Sequence, residues 1–194
     1  MITTLTKKTL TYTSCYCEEN IYMLCKELKR IAPNELENCT VVFISNSNRS
    51  IPMWMQASSV NGSPVIWDYH VILMYHDYAA SSSCIYDFDT RLPFPCDTAR
   101  YIKASFRPEL QLKDEFIRYF RMVPAATYLA YFASDRSHML TTSGVYIKPP
   151  PTYIPIATKE NIMTLPQFIN MEHYKNSEQY GTVISEFQFF SLIS

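Results

Sequence analysis

No C-x-x-C pair occurs among the six cysteines, which stand at positions 15, 17, 25, 39, 84 and 96. Their spacing fits no zinc module, since zinc needs four placed ligands and only Cys15 and Cys17 are locally paired. No basic stripe is present either: 17 Lys and Arg stand against 18 Asp and Glu, for a net charge of −1. A nucleic-acid partner therefore has no electrostatic support. No apolar run follows the lysines of "MITTLTKKTLTYTS", so nothing there reads as a signal peptide, and no segment is apolar enough over its length to span a bilayer. The expectation is a cytoplasmic or nuclear chain with reduced cysteines and no membrane partner. On that expectation the triplets Asn38-Cys39-Thr40, Asn48-Arg49-Ser50 and Asn61-Gly62-Ser63 carry no glycan.

What the chain does have is core material. At 47% hydrophobic and 14% aromatic over 194 residues, it suffices for one packed domain spanning 1–194, without repeats or low-complexity linkers. Ile21, Leu24, Cys25 and Leu28 recur at i, i+3, i+4, i+7 and predict a helix over Glu18–Arg30, stopped by Pro33. "CTVVFIS" (Cys39–Ser45) and "IPMWMQ" (Ile51–Gln56) read as a hairpin turned by "NSNRS". "VIWDYHVILMY" (Val65–Tyr75) reads as the longest strand and "CIYDFDT" (Cys84–Thr90) as a fourth. "TARYIKASF", "LKDEFIRYFRM" and "AATYLAYFAS" read as helices, and "KPPPTYIP" as extended polyproline II. The tail "GTVISEFQFFSLIS" supports strand and helix equally. Helix, antiparallel strands, then helices is an α+β order.

Residues 65–75 and 84–90, taken as a hairpin turning near Tyr78 and Ala79, place His70 opposite Asp87 on one sheet face. Asp87 would then accept the imidazole Nδ1–H and leave Nε2 as a base. A register slip of two would substitute Asp89. A satisfied structural histidine is the competing reading. "TSCYCEENIYMLCKEL" raises a parallel choice for its cysteines: half a metal site, ordinary core, or a nucleophile. Cys17 falls at the helix start, where the macrodipole lowers a thiol pKa and free N–H groups can hold an oxyanion. Cys25 lies in mid-stripe and reads as core.

The strings "SCYCEEN", "FISN", "IPMW", "PVIWDYHV", "YDFDTRLPFPC", "FASDRSHM", "KPPPTYIPI" and "MTLPQFINM" together resemble the protein N-terminal glutamine amidohydrolases from about Ser14 to Phe187. The resemblance implies a single-domain α-β-α sandwich with a mainly antiparallel central sheet, distantly similar to transglutaminase-type and papain-like cysteine enzymes. It implies a monomer with no metal or cofactor and a Cys17, His70, Asp87 triad. The implied substrates are proteins or peptides with N-terminal glutamine, whose side-chain amide becomes glutamate through a thioester, with arginyltransferase downstream in a degradation pathway. Reading a free α-ammonium calls for a carboxylate. Asp68 and Glu19 come first, then Asp89, with Asp135 of "SDRSH" a further anchor. By strand alternation Trp67 faces away from His70 and reads as core. His138 reads as a loop residue, Arg136 as a salt-bridge partner, and Pro149–Pro151 as a stiff surface segment. The tail shortened around "GTVISEF" departs from the family pattern. A cysteine peptidase or transglutaminase-like acyl transferase, and a non-catalytic binding module, are the alternatives.

Overall fold

The stripe of Ile21, Leu24, Cys25 and Leu28 forms the buried face of a helix, α1 (Cys17–Ile31). Glu18 and Glu19 in its first turn and Lys29 and Arg30 in its last complement the macrodipole. Pro33 keeps Ala32 out of the helical region and ends it. Burying each of its leucines and isoleucines contributes about 1.5–3 kcal/mol, so the stripe alone fixes α1 against whatever lies beneath it.

What lies beneath is a sheet. The computed structural model describes residues 5–172 and 178–192. The strands are β1 (Cys39–Ser45), β2 (Ile51–Met53), β3 (Val65–Trp67), β4 (Tyr69–Asp77), β5 (Ser82–Tyr86), β6 (Cys96–Asp97), β7 (Tyr119–Pro124) and β8 (Thr182–Ser185). Six of them form one antiparallel sheet in the order β6-β5-β4-β1-β7-β8, while β2 and β3 make a separate ribbon. Further helices are α2 (Thr98–Tyr101), continued as a π-helix over Ile102–Phe106, α3 (Ala125–Tyr131), α4 (Leu165–Ile169) and α5 (Glu186–Ser191). On one sheet face Val41, Phe43, Val71 and Leu73 pack with α1, α3 and α4; on the other Val42, Ile44, Ile72 and Met74 pack with the π-helix, α5 and β2. The expected α+β sandwich is present.

Four local expectations are corrected. Residues 51–56 do not pair with β1; β2 pairs with β3 instead. The long strand over 65–75 breaks at Asp68, whose carboxylate takes the Tyr69 N–H (2.9 Å) and whose carbonyl takes the Ser45 hydroxyl (2.7 Å), so its polar groups are satisfied off the ladder. "LKDEFIRYFRM" is a short 3-10 turn followed by β7, next to the central strand. Arg118 and Arg121, which look like the solvated face of a helix, are completely buried. The hairpin register is two residues off: Tyr75 lies opposite Cys84, and the ladder ends where Leu73 lies opposite Tyr86. The tail resolves as both options, β8 and then α5, with a capping box between Ser185 and Gln188.

Candidate active site

α1 begins abruptly. Cys15 has a left-handed φ of 70°, and Tyr16, the N-cap, is non-helical. The turn is held because Asn20 clamps Thr13 twice, accepting from its N–H and donating to its carbonyl, both at 2.8 Å. Tyr128 donates to the Glu18 carbonyl (3.0 Å). Cys17 is thus fixed as the first residue of the helix, 9% exposed. Its thiol lies against the Val71 backbone N–H and 3.6 Å from Glu18 Oε2. The first-turn N–H groups of α1 lack partners within the helix and point toward this end.

Burial pushes the Cys17 thiol well up, and the Glu18 and Asp89 carboxylates add to the effect. Desolvation beside two acids thus acts against the lowered thiol pKa expected from the macrodipole.

His70 is the second residue of β4, fully buried. Its Nε2 and Asp87 Oδ1 are 2.9 Å apart, and Nδ1 has no partner among the described residues. The ring is thus turned the other way from the expectation, with Nδ1 as the available nitrogen. Asp87 reaches His70 despite the slipped register because the chain leaves the ladder after Tyr86. The Asp87 carboxylate also accepts from Tyr101 Oη (2.7 Å), Gln56 Nε2 (3.4 Å) and the Asp89 N–H (2.9 Å). Burial works to raise its pKa, but the His70 charge and these donors prevail and hold it below the usual value. Burial likewise works to lower His70, and Asp87, then Asp89 and Glu18, reverse it, so the imidazole sits above its ordinary range.

By alternation His70 shares a sheet face with Ile72 and Met74, whereas Cys17 packs with Tyr69 and Val71 on the other. The thiol lies beside the N–H of the residue following His70, and Glu18 and Asp89 act on both groups. The site is therefore gathered around the start of β4, where the break at Asp68 opens the sheet, and not across one face.

A cavity of about 580 Å³ opens here. Its lining includes Cys15, Cys17, Arg49, Trp67, Asp68, Tyr69, Asp89 and His138, together with the apolar Met139, Ile147, Met163, Leu165, Pro166 and Ile169. Trp67 stacks on His70, with ring centroids 5.2 Å apart and planes 18° apart; the break at Asp68 rephases the strand and overturns the expectation that it faces away.

Of the four carboxylates expected to read an amine, Asp68 and Asp89 line this cavity. Asp89 accepts from Tyr12 Oη (2.7 Å), and burial raises its pKa. Glu19 is buried with both oxygens taken by Arg136, at 2.8 and 2.9 Å, so a structural ion pair occupies it. Arg136 also donates to the Pro151 and Tyr153 carbonyls, which ties the proline segment down. Asp135 accepts from the Ser137 N–H (2.8 Å) and does not line the cavity. Four contributors escaped the sequence reading: Glu18, Gln56, Tyr101 and the stacking of Trp67. None carries a local signal, because each reaches the site through tertiary packing. Ligand atoms of His70, Asp87 and Asp89 lie within 4.8 Å of one another, the metal-compatible group among the described residues. Tyr101, Gln56 and Tyr12 already occupy those carboxylates.

A thiol at a helix start, beside an antiparallel sheet carrying a buried imidazole–carboxylate pair, is the layout of thiol-dependent acyl-transfer enzymes. The comparison with known proteins is more specific. Residues 12–193 match the N-terminal glutamine amidase family, and the chain belongs to it. Its relatives include the protein N-terminal glutamine amidohydrolase of Drosophila ananassae, 47% identical over 161 residues, covering 82% of this chain and 78% of the relative. The protein of the same description from Drosophila melanogaster is 44% identical over 179 residues, covering 92% and 85%.

Proposed function

We propose that this protein hydrolyses the side-chain amide of N-terminal glutamine in proteins and peptides, with Cys17 as nucleophile, His70 as proton carrier and Asp87 as its orienting acid. The observation that carries the reading is a fully buried His70–Asp87 pair whose remaining ring nitrogen, Nδ1, has no hydrogen-bond partner among the described residues, and whose neighbours Trp67 and Tyr69 line the same cavity as Cys17. Family membership supplies the substrate class.

In this reaction the Cys17 proton passes to His70 Nδ1 as sulfur attacks the carboxamide carbon. The raised basicity of the imidazole favours that transfer, which a protonated, buried thiol requires. Backbone N–H groups at the start of α1 stabilise the oxyanion. His70 then returns the proton to the leaving nitrogen, ammonia departs, and a γ-glutamyl thioester remains on Cys17. Water gives a proton to Nδ1 as it attacks the thioester; that proton goes back to sulfur, releasing N-terminal glutamate. Asp68 and Asp89, the cavity carboxylates, meet the α-ammonium. We place the enzyme as a cytoplasmic or nuclear monomer, with an arginyltransferase consuming its product.

Matched peptides test this: Gln at position one, Gln at position two, acetylated Gln at position one, and Asn at position one. Ammonia is expected from the first alone, and none from it with Cys17→Ala. Turnover of the acetylated or internal glutamine would replace the reading with a peptidase- or transglutaminase-like one.

A further inference from the structure

We propose that Glu18 distinguishes a carboxamide from a carboxylate in this cavity, by accepting an N–H of the substrate's side-chain amide. The inference rests on the reading that Cys17 attacks that amide.

Glu18 immediately follows Cys17 and is fully buried. Its Oε2 accepts from Tyr69 Oη (3.0 Å) and lies 3.6 Å from Cys17 Sγ. Its Oε1 lies 3.6 Å from His138 Nε2 and has no hydrogen-bond partner among the described residues. Cys17, Tyr69 and His138 all line the cavity, so the carboxylate sits directly behind its wall. The next residue shows the alternative: Glu19, equally buried, has both oxygens saturated by Arg136. A buried acceptor left open beside a nucleophile calls for a donor from outside the protein.

Distance decides which donor. Attack brings the carboxamide carbon to about 3–3.5 Å from the sulfur. The amide nitrogen is bonded to that carbon, so it can come within reach of the Glu18 carboxylate, whose Oε2 lies 3.6 Å from the same sulfur and whose Oε1 is the open acceptor. The α-amine is four bonds further along the substrate, on the side that Asp68 and Asp89 serve. His138 is the cover that moves: neither ring nitrogen has a hydrogen-bond partner among the described residues, so displacing the ring breaks no hydrogen bond. After hydrolysis the N–H is gone and a carboxylate faces Glu18, so the residue that welcomes the substrate repels the product.

The test begins with Cys17→Ala, which binds without turnover. Titration at pH 7 with peptides differing only in N-terminal Gln or Glu is expected to favour Gln by at least about tenfold. Equal binding, or tighter binding of the Glu peptide, overturns the proposal without any change at Glu18. Adding Glu18→Gln is expected to collapse that preference, chiefly by strengthening the Glu peptide. In the otherwise wild-type enzyme, Glu18→Gln should make the Glu-led product at least about tenfold more inhibitory. A merely structural Glu18 would weaken both peptides alike, and that result in a folded variant also overturns the proposal. Should Glu18→Gln fail to fold, the Cys17→Ala comparison decides. Absence of ammonia release by the wild-type enzyme would instead defeat the Cys17 reading, leaving the binding comparison to judge Glu18 separately.

Discussion

Arg118 and Arg121, at the β7 side of the sheet, lie as deep as Glu18 and His70 at the start of β4, and their surroundings treat them differently. Arg118 meets both Glu186 oxygens at 2.7 Å and donates to the Pro52 and Phe106 carbonyls. Arg121 donates to the carbonyls of Phe168, Tyr180 and Asn170, and burial lowers its pKa to about 10. Around β4, by contrast, Glu18, Trp67, His70 and His138 each keep an enclosed polar atom with no hydrogen-bond partner among the described residues. Buried polar groups that only support a fold are normally saturated. Enclosed Thr98, Ser105 and Tyr153 oxygens also lack a hydrogen-bond partner among the described residues, so it is the ionisable groups, saturated at Arg118 and Arg121 and open at Glu18 and His70, that set the two clusters apart.

The largest expected effect tests the chemical side. Asp87→Asn keeps the shape of the side chain but loses the charge that orients and stabilises His70. Ammonia release should fall on the order of 10³–10⁴-fold, with the unfolding midpoint shifted by only a few degrees. A variant that unfolds, or one that retains most of its rate, would place the Asp87 cluster with the scaffold instead. The complementary change is Arg121→Met, which leaves three carbonyls without their donor. It should cost about 3 kcal/mol of stability, read by urea denaturation, while kcat of the folded enzyme stays within about twofold. A loss of rate at unchanged stability would break the distinction.

The pH dependence comes next in size. His70 is raised above its ordinary value and must lose a proton to act as a base, so kcat/KM should climb with pH through an apparent pKa above about 6.5. Asp87→Asn should move that limb to lower pH. The linkage to stability runs in the opposite direction. A raised folded pKa means that His70 adds stability below the ordinary imidazole value and loses it as pH rises through the raised one. Asp87, depressed when folded, adds stability above the ordinary carboxylate value and loses it as pH falls through the depressed one. Rate and stability should thus part company on the alkaline side, and a parallel rise in both would contradict the buried ion pair.

The two clusters were also unequally readable from sequence. α1 announced itself because its stripe has a single period and its ends carry the right charges. β1 matched residue for residue because a β-branched run next to a turn has few alternatives. β7 was misread because Arg118 and Arg121 look solvated until Glu186 and three distant carbonyls, remote in the chain, arrive to satisfy them. At the site, His70 and Asp87 could be paired by arithmetic, yet the register was off by two and the contact is made past the end of β5. Glu18 was passed over as a helix-start acid because nothing local tells it apart from Glu19. Only Arg136, more than a hundred residues away, makes one saturated and leaves the other open.

Trp67 offers the smallest and most discriminating change. Its indole stacks on the imidazole at 5.2 Å, so it holds the ring plane through stacking, with neither a charge nor a hydrogen bond. Aromatic stacking of this kind is worth about 0.5–1.5 kcal/mol, which corresponds to roughly two- to tenfold in rate if it is realised in positioning His70. Trp67→Leu should lower kcat by that factor while leaving the acid limb of the pH profile where it was, because the Asp87 contacts that set the imidazole pKa are untouched. A core residue would behave otherwise: stability would drop, and kcat of the folded fraction would not. A shift of the acid limb would mean that the indole governs the proton affinity of the ring as well as its plane, and the electrostatic origin assigned to His70 would then need a second contributor.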